Sequence, residues 1–212
     1  MFYEYGGVLL PIILGSSAYN KPSNQRKDGS MQRYLNSVIL CGILMDKPVP
    51  FREGLCLSHI KSGTHIINVL LPRMAERTLA VGKTVYITGF LTAKYHQKNG
   101  YSTPEIYVQG LVMPYTHPHH INTFELTAPL IHMTECPYRP GSDVWVLRYM
   151  KSRGKRILLP VTTRDPDFRQ KIRRKDGEKL IICKGTIQTV SYRGKIITEL
   201  VPQSIQVEGC AG

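Results

Sequence analysis

Lys94, Tyr95, His96, Lys98 and Tyr101 fall within one eight-residue window. Ammonium groups attract phosphates, and phenol rings offer flat faces on which bases stack. The same residues also describe an ordinary solvated hairpin that carries a few tyrosines. Other chemistries find less support. His117, His119 and His120 cluster in PYTHPHHI, but no fourth ligand stands at a recognised spacing, so no metal is expected there. The five cysteines, Cys41, Cys56, Cys136, Cys183 and Cys210, form no Cys-x-x-Cys. An odd set without close pairs fits a reducing, cytoplasmic compartment and no disulfide framework. No phosphate loop, nucleophile elbow or His-Glu-x-x-His is present, and the acids are scattered, so neither an enzyme nor a cofactor is expected.

The window needs a scaffold that projects it. Val85, Ile87 and Phe90 lie in an extended run that Gly89 interrupts, and EIYVQGLV (105–112) is a second such run. Two β-rich runs around Asn99-Gly100 predict a long hairpin with the basic, aromatic window on its arm. Upstream, residues 34–45 predict a strand, and DKPVPFREG (46–54) a turn that exposes Phe51 and Arg52. Residues 55–60 and 64–71 predict a hairpin around Lys61-Ser62-Gly63, followed by a short helix from Pro72.

These segments carry a resemblance. Asn36-Ser37-Val38-Ile39-Leu40-Cys41-Gly42-Ile43-Leu44, followed by Asp46-Lys47-Pro48, is similar to the opening strand of bacterial single-stranded DNA-binding proteins, the SSB family. VGKTVYITGFL and TAKYHQKNGYSTPEIYV resemble that family's fourth strand, hairpin loop and fifth strand. HIINVLLP (65–72) sits where the third strand stands, and residues 73–81 where the short helix stands. The resemblance spans residues 34–113 and implies an OB-fold, a five-stranded barrel that binds strands of nucleic acid across its face and loops.

A second copy is expected downstream. LIICKGTIQTV, the turn Ser191-Tyr192-Arg193-Gly194 and residues 195–207 repeat the order strand, glycine kink, basic-aromatic turn, strand, which suggests duplication of one domain. Asp143–Tyr149 alternates, so Trp145, Leu147 and Tyr149 share one face. The only tryptophan could belong to the core or serve as a stacking platform beside Arg148, Lys151, Arg153, Lys155 and Arg156. Asp165-Pro166-Asp167 predicts a helix start, with the helix over 168–174.

The expected fold is therefore mainly β: two tandem OB-folds, each a five-stranded Greek-key barrel with a short helix between strands 3 and 4. The expected organisation is a disordered extension over 1–30, domains over 31–115 and 122–208, a linker over 116–121 and a tail over 209–212. Met31 opens directly onto the SSB-like strand, which makes it a natural domain start.

The net charge is +13, divided as +1 over residues 1–30, +5 over 31–121 and +7 over 122–212. Both expected domains are thus basic. The charge points to nucleic acid, an anionic surface or an acidic partner. No stretch is long enough for a membrane helix.

The resemblance, set on this charge, implies a non-enzymatic, sequence-independent binder of single-stranded DNA, or of RNA, which the residues do not separate. Its expected role is in DNA replication, recombination or repair in a bacterium, phage, plasmid or other mobile element. The expected contacts are Phe51, Arg52, Lys61, Lys94, Tyr95, Lys98, Tyr101, Trp145, Arg148, Tyr149, Lys151, Arg153, Lys155, Arg156, Tyr192, Arg193 and Lys195. A homodimer would bring four OB-folds together, the number with which SSB proteins surround DNA. The family's flexible acidic tail has no counterpart in VEGCAG, which puts recruitment of replication proteins in doubt. The other reading is an OB-fold adaptor of a primosome, conjugation or mobile-element replication complex that meets a protein or RNA.

Overall fold

The computed structural model describes residues 2–5, 8–11, 34–52, 54–98, 101–115, 120–150, 156–165, 167 and 179–209. Phe2–Tyr5 (β1) and Val8–Pro11 (β2) pair antiparallel, so part of the segment expected to be disordered forms a hairpin. The next strands are Asn36–Leu44 (β3), Val49–Arg52 (β4), Leu55–Ser62 (β5) and His65–Pro72 (β6). After the helix Ala75–Thr78 (α1) come Thr84–Lys98 (β7) and Tyr101–Pro114 (β8). The second half runs Ile121–Glu135 (β9), Asp143–Met150 (β10), Arg156–Thr163 (β11), Lys179–Tyr192 (β12) and Lys195–Gly209 (β13). The chain is mainly β, as expected. The helix expected over 168–174 lies outside the described residues, and residue 121, expected in the linker, opens β9.

Each half closes on itself. In the first, β3 pairs with β7 and β5, β7 with β8, β5 with β6, and β6 runs parallel to β8 at Val69↔Val108. In the second, β9 pairs with β12 and β10, β12 with β13, β10 with β11, and β11 runs parallel to β13 at Val161↔Leu200. The order is the same in both: first strand to second, second to third, third to fifth, fifth to fourth, and fourth back to first.

Alternation drives this closure. Val38 and Leu40 on β3, and Val85, Ile87 and Leu91 on β7, turn inward at every second position. Burying that row while pairing every backbone group curls the sheet until its edges meet. Gly89 permits the close crossing of β7 and β8, because a Cβ there would stand 2.1 Å from the Gln109 carbonyl oxygen. Gly185 does the same on β12, with the Val201 carbonyl oxygen 2.1 Å from its would-be Cβ.

The halves join through β3 and β9, which pair antiparallel from Asn36↔Leu126 to Cys41↔Ile121. Val38 lies opposite Phe124, and both are buried. Asn36 faces Leu126 and Leu40 faces Asn122. Asn-x-Val-x-Leu thus meets Asn-x-Phe-x-Leu in reverse, so exchanging the halves maps the junction onto itself about a local two-fold axis between Val38 and Phe124. Two further contacts are reciprocal. Tyr95 on β7 donates its hydroxyl to the Leu158 carbonyl on β11, and the Thr189 N–H on β12 donates to Nδ1 of His65 on β6 (3.1 Å). Core residues of both barrels, from Leu40 and Ile87 to Trp145 and Ile187, form one continuous cluster.

Candidate nucleic-acid interface

The short strand β4 is where several expected contacts converge. It pairs with β5 through Val49↔Leu57 and Pro50↔Cys56, and then slips at Phe51 so that Arg52 meets Leu55. Such a bulge re-aims a side chain. The half-buried Phe51 ring lies 5.6 Å from the ring of Tyr107 on β8, tilted by 48°. The Lys94 ammonium stands 4.9 Å above the Phe51 centroid, a cation–π geometry. Arg52, exposed beside Phe51, donates through Nη2 to Oε1 of Gln109 (3.2 Å). Glu105 lies across from Lys94 in the β7–β8 pairing and accepts a hydrogen bond from Asn68 Nδ2 (3.2 Å). Phe51, Arg52 and Lys94 therefore form one station, and Tyr107 beneath it is a member that the sequence reading missed. Burial, reinforced by Glu105, pushes the Tyr107 hydroxyl well above the usual phenol range, so this ring stays neutral.

The second half carries a counterpart. Tyr138 in the β9–β10 loop lies 5.5 Å from the Tyr192 ring, tilted by 47°, and the Arg193 guanidinium stands 5.1 Å over Tyr192. Arg139 differs from Arg52 in its partner: its Nη2 lies 2.9 Å from Oε2 of Glu199, a carboxylate with no exposed surface. Burial raises the pKa of Glu199, and Arg139 with the Tyr138 and Thr162 hydroxyls works against that rise. Tyr138, Arg139 and Glu199 were not expected at the site. A signal for them is present in the sequence: Pro50-Phe51-Arg52-Glu53-Gly54 recurs as Pro137-Tyr138-Arg139-Pro140-Gly141.

Two expected stacking faces are corrected. Trp145 is fully buried, and it lies with Leu147 in the central core against which Tyr149 packs. The other face of β10 is covered too, because Val144 and Val146 pack with Cys136, Tyr95 and Tyr138. With both faces of β10 covered, Trp145 has no surface for a base. Tyr95 is half-buried in that second cluster with its hydroxyl bonded to Leu158, so it joins the halves instead of projecting from the arm. Burial raises the Tyr95 and Tyr149 hydroxyls above the phenol range.

The remaining expected contacts are dispersed. Lys61 stands exposed on β5 opposite Ile43, Arg156 exposed at the start of β11 and Lys195 exposed at the start of β13. Arg148 on β10 is half-buried. Lys151, Arg153 and Lys155, and the side chains of Lys98 and Tyr101, lie outside the described residues, as do His117 and His119 of the histidine cluster. Among the described residues, no group of three or more His, Cys, Asp or Glu side chains is placed to hold a metal ion. No described helix is long and apolar enough to cross a membrane.

No family model and no curated protein matches the sequence. Solved structures match the fold. A deletion variant of the single-stranded DNA binding protein from Thermus aquaticus superposes with a TM-score of 0.60 at 19% identity, over 86% of this chain and 98% of that one. The wild-type Thermus aquaticus protein gives 0.60 at 18% identity, over 85% and 96%. Over most of its length, the chain has the fold of the Thermus aquaticus single-stranded DNA binding protein.

Proposed function

We propose that this chain binds single-stranded nucleic acid, without sequence preference and without catalysis, through two OB-type barrels. The observation that carries the reading is the station in which the Phe51 ring meets both the Lys94 ammonium and the Tyr107 ring, with Arg52 beside it. A stacking face edged by two cations suits a strand whose bases and phosphates are both exposed. The shared fold and the balances of +5 and +7 over the two halves support it.

Binding of this kind serves DNA replication, recombination or repair by holding exposed strands. A homodimer would present four barrels. The exposed Leu111 and Met113 on β8 support an apolar contact between copies.

Titrating a fluorescent oligo-dT with the protein, at low and high salt and with duplex DNA as control, tests the reading by anisotropy. Tight binding of the single strand, released by salt and weak for duplex, is expected. No binding at low salt overturns it and leaves the adaptor reading.

A further inference from the structure

The two Pro-aromatic-Arg-x-Gly segments share a sequence pattern and a place in their halves. Each follows its half's opening strand and ends on a glycine in the left-handed region, with φ of 71° at Gly54 and 77° at Gly141. Only glycine reaches that region without strain, so the shared turn sets each loop's exit. Each puts an aromatic ring against a second ring, Phe51 on Tyr107 and Tyr138 on Tyr192. Each sends its arginine to the last strand of its own barrel, and there the two segments part.

Arg52 is exposed and meets the neutral carboxamide of Gln109. Its charge is not tied to a buried carboxylate, and Lys94, opposite Glu105 on the β7–β8 ladder, adds a second cation over the ring. The Arg139 side chain is only 19% exposed and faces the carboxylate of Glu199, which has no exposure at all. A guanidinium neutralised by a buried carboxylate has little charge left to offer, and removing it would strand that carboxylate in the interior.

Resting on the binding function proposed above, we infer that the two segments have divided their work. The Pro50–Gly54 loop is a strand-binding station, with Phe51 as stacking face and Arg52 and Lys94 as phosphate contacts. The Pro137–Gly141 loop is a lock that ties the β9–β10 connection to β13 through Arg139 and Glu199. A base arriving on Phe51 takes the place of the Lys94 ammonium, which then moves to the neighbouring phosphate. In the second half, strand contact falls to Arg193 and the exposed Lys195 on the same turn, not to the loop arginine.

The test is oligo-dT affinity measured over a salt series on the full chain. Phe51→Ala is expected to weaken binding by roughly ten-fold, within the range for loss of one stacked base. Arg52→Gln and Lys94→Gln are each expected to lower the slope of log affinity against log salt by about 0.7, the single-strand value for one phosphate contact. Glu199→Gln unlocks Arg139 and is expected to raise both affinity and slope. The Arg139→Gln, Glu199→Gln double variant removes both charges, keeps the buried Glu199 position isosteric, and is expected to bind as the wild type does.

Thermal melts establish that each variant is folded. The double variant keeps the lock testable if Glu199→Gln alone fails to fold. Loss of affinity in the double variant equal to that of Arg52→Gln overturns the lock. Unchanged affinity in all three first-half variants, with the wild type binding, overturns the station. Wild-type protein that ignores oligo-dT overturns the binding function itself, and the division of work with it.

Discussion

Asn36 and Asn122 make the same pair of hydrogen bonds in the two halves. Asn36 Nδ2 donates to the Leu91 carbonyl (2.9 Å) and its Oδ1 accepts from the Leu91 N–H (2.8 Å). Asn122 does the same with Ile187, at 2.7 and 3.0 Å. Each carboxamide acts as a substitute backbone segment that extends the first strand's pairing along the fourth. Asparagine suits this because it carries a donor and an acceptor side by side.

Replacing either asparagine with alanine leaves a strand N–H and carbonyl without partners in a half-buried place. Each change is expected to lower stability by about 1–3 kcal/mol. Urea unfolding of Asn36→Ala, Asn122→Ala and the double variant checks this. The two sites do not touch the same residues, so the double variant is expected to show the sum.

Gly89 and Gly185 make a second matched pair. A methyl group at either would sit 2.1 Å from a backbone oxygen that belongs to a paired strand. The backbone must move, which breaks ladder bonds. Gly89→Ala and Gly185→Ala are each expected to cost at least the roughly 1–3 kcal/mol typical of overpacking. Thermal midpoints indistinguishable from the wild type would show that the crossings are looser than this.

The parts of the fold that were legible in the sequence are those encoded locally. Period-two alternation and the glycine kinks at Gly89 and Gly185 read directly as strands, and the Asn-x-Val-x-Leu opening read as the first barrel strand. The counterpart opening, Asn122-x-Phe124-x-Leu126, is equally present but harder to read, because Phe124 replaces valine and Glu125 breaks the apolar run that Val38-Ile39-Leu40 forms in the first half. The fate of Trp145 was not legible: β10 is apolar on both faces, and alternation alone cannot say which face a second layer covers. Likewise, Tyr95 looks like an exposed arm residue until the reciprocal crossing of the halves brings Leu158 to its hydroxyl.

Tyr95 therefore provides a test of the junction. Tyr95→Phe keeps the ring in its cluster with Cys136, Val144 and Val146 and removes the bond to Leu158. The expected loss is about 0.5–1.5 kcal/mol, with a further penalty for the carbonyl left behind. Oligo-dT affinity is expected to stay unchanged, since the ring is not a stacking face. A fall in affinity without a fall in stability would return Tyr95 to the binding surface.

The turn after β3 has its own pH dependence. Burial works against the Asp46 carboxylate. Hydrogen bonds from Ser58 Oγ (2.7 Å) and the His59 N–H (3.0 Å), with the His59 ring contact, together outweigh it and hold the carboxyl below its usual range. A lowered folded pKa means that the unfolded chain binds the proton first. The contribution is thus fully present above the ordinary aspartate range and is lost as pH falls through the lowered folded value. Asp46→Asn is expected to flatten the acid limb of a stability–pH profile, measured as the urea midpoint.

Glu199 carries the opposite sign. Its pKa is raised, so the folded state holds its proton more tightly than the unfolded state does, and stability falls as pH rises from the ordinary glutamate range to the raised value. Glu199→Gln is expected to remove that slope while Asp46→Asn leaves it in place, which separates the two carboxyls in one data set.

Trp145 supplies the last prediction. With no exposed surface, it is expected to emit at short wavelength and to resist quenching by acrylamide. Binding of poly-dT at the Phe51 station is then expected to change anisotropy of a labelled strand while leaving tryptophan intensity nearly constant. Strong quenching by poly-dT would mean that strand binding opens β10. The central core around Trp145 and Leu147, against which Tyr149 packs, would have to open for that to occur, and Tyr149→Ala, which loosens the same core, would then increase the quenching.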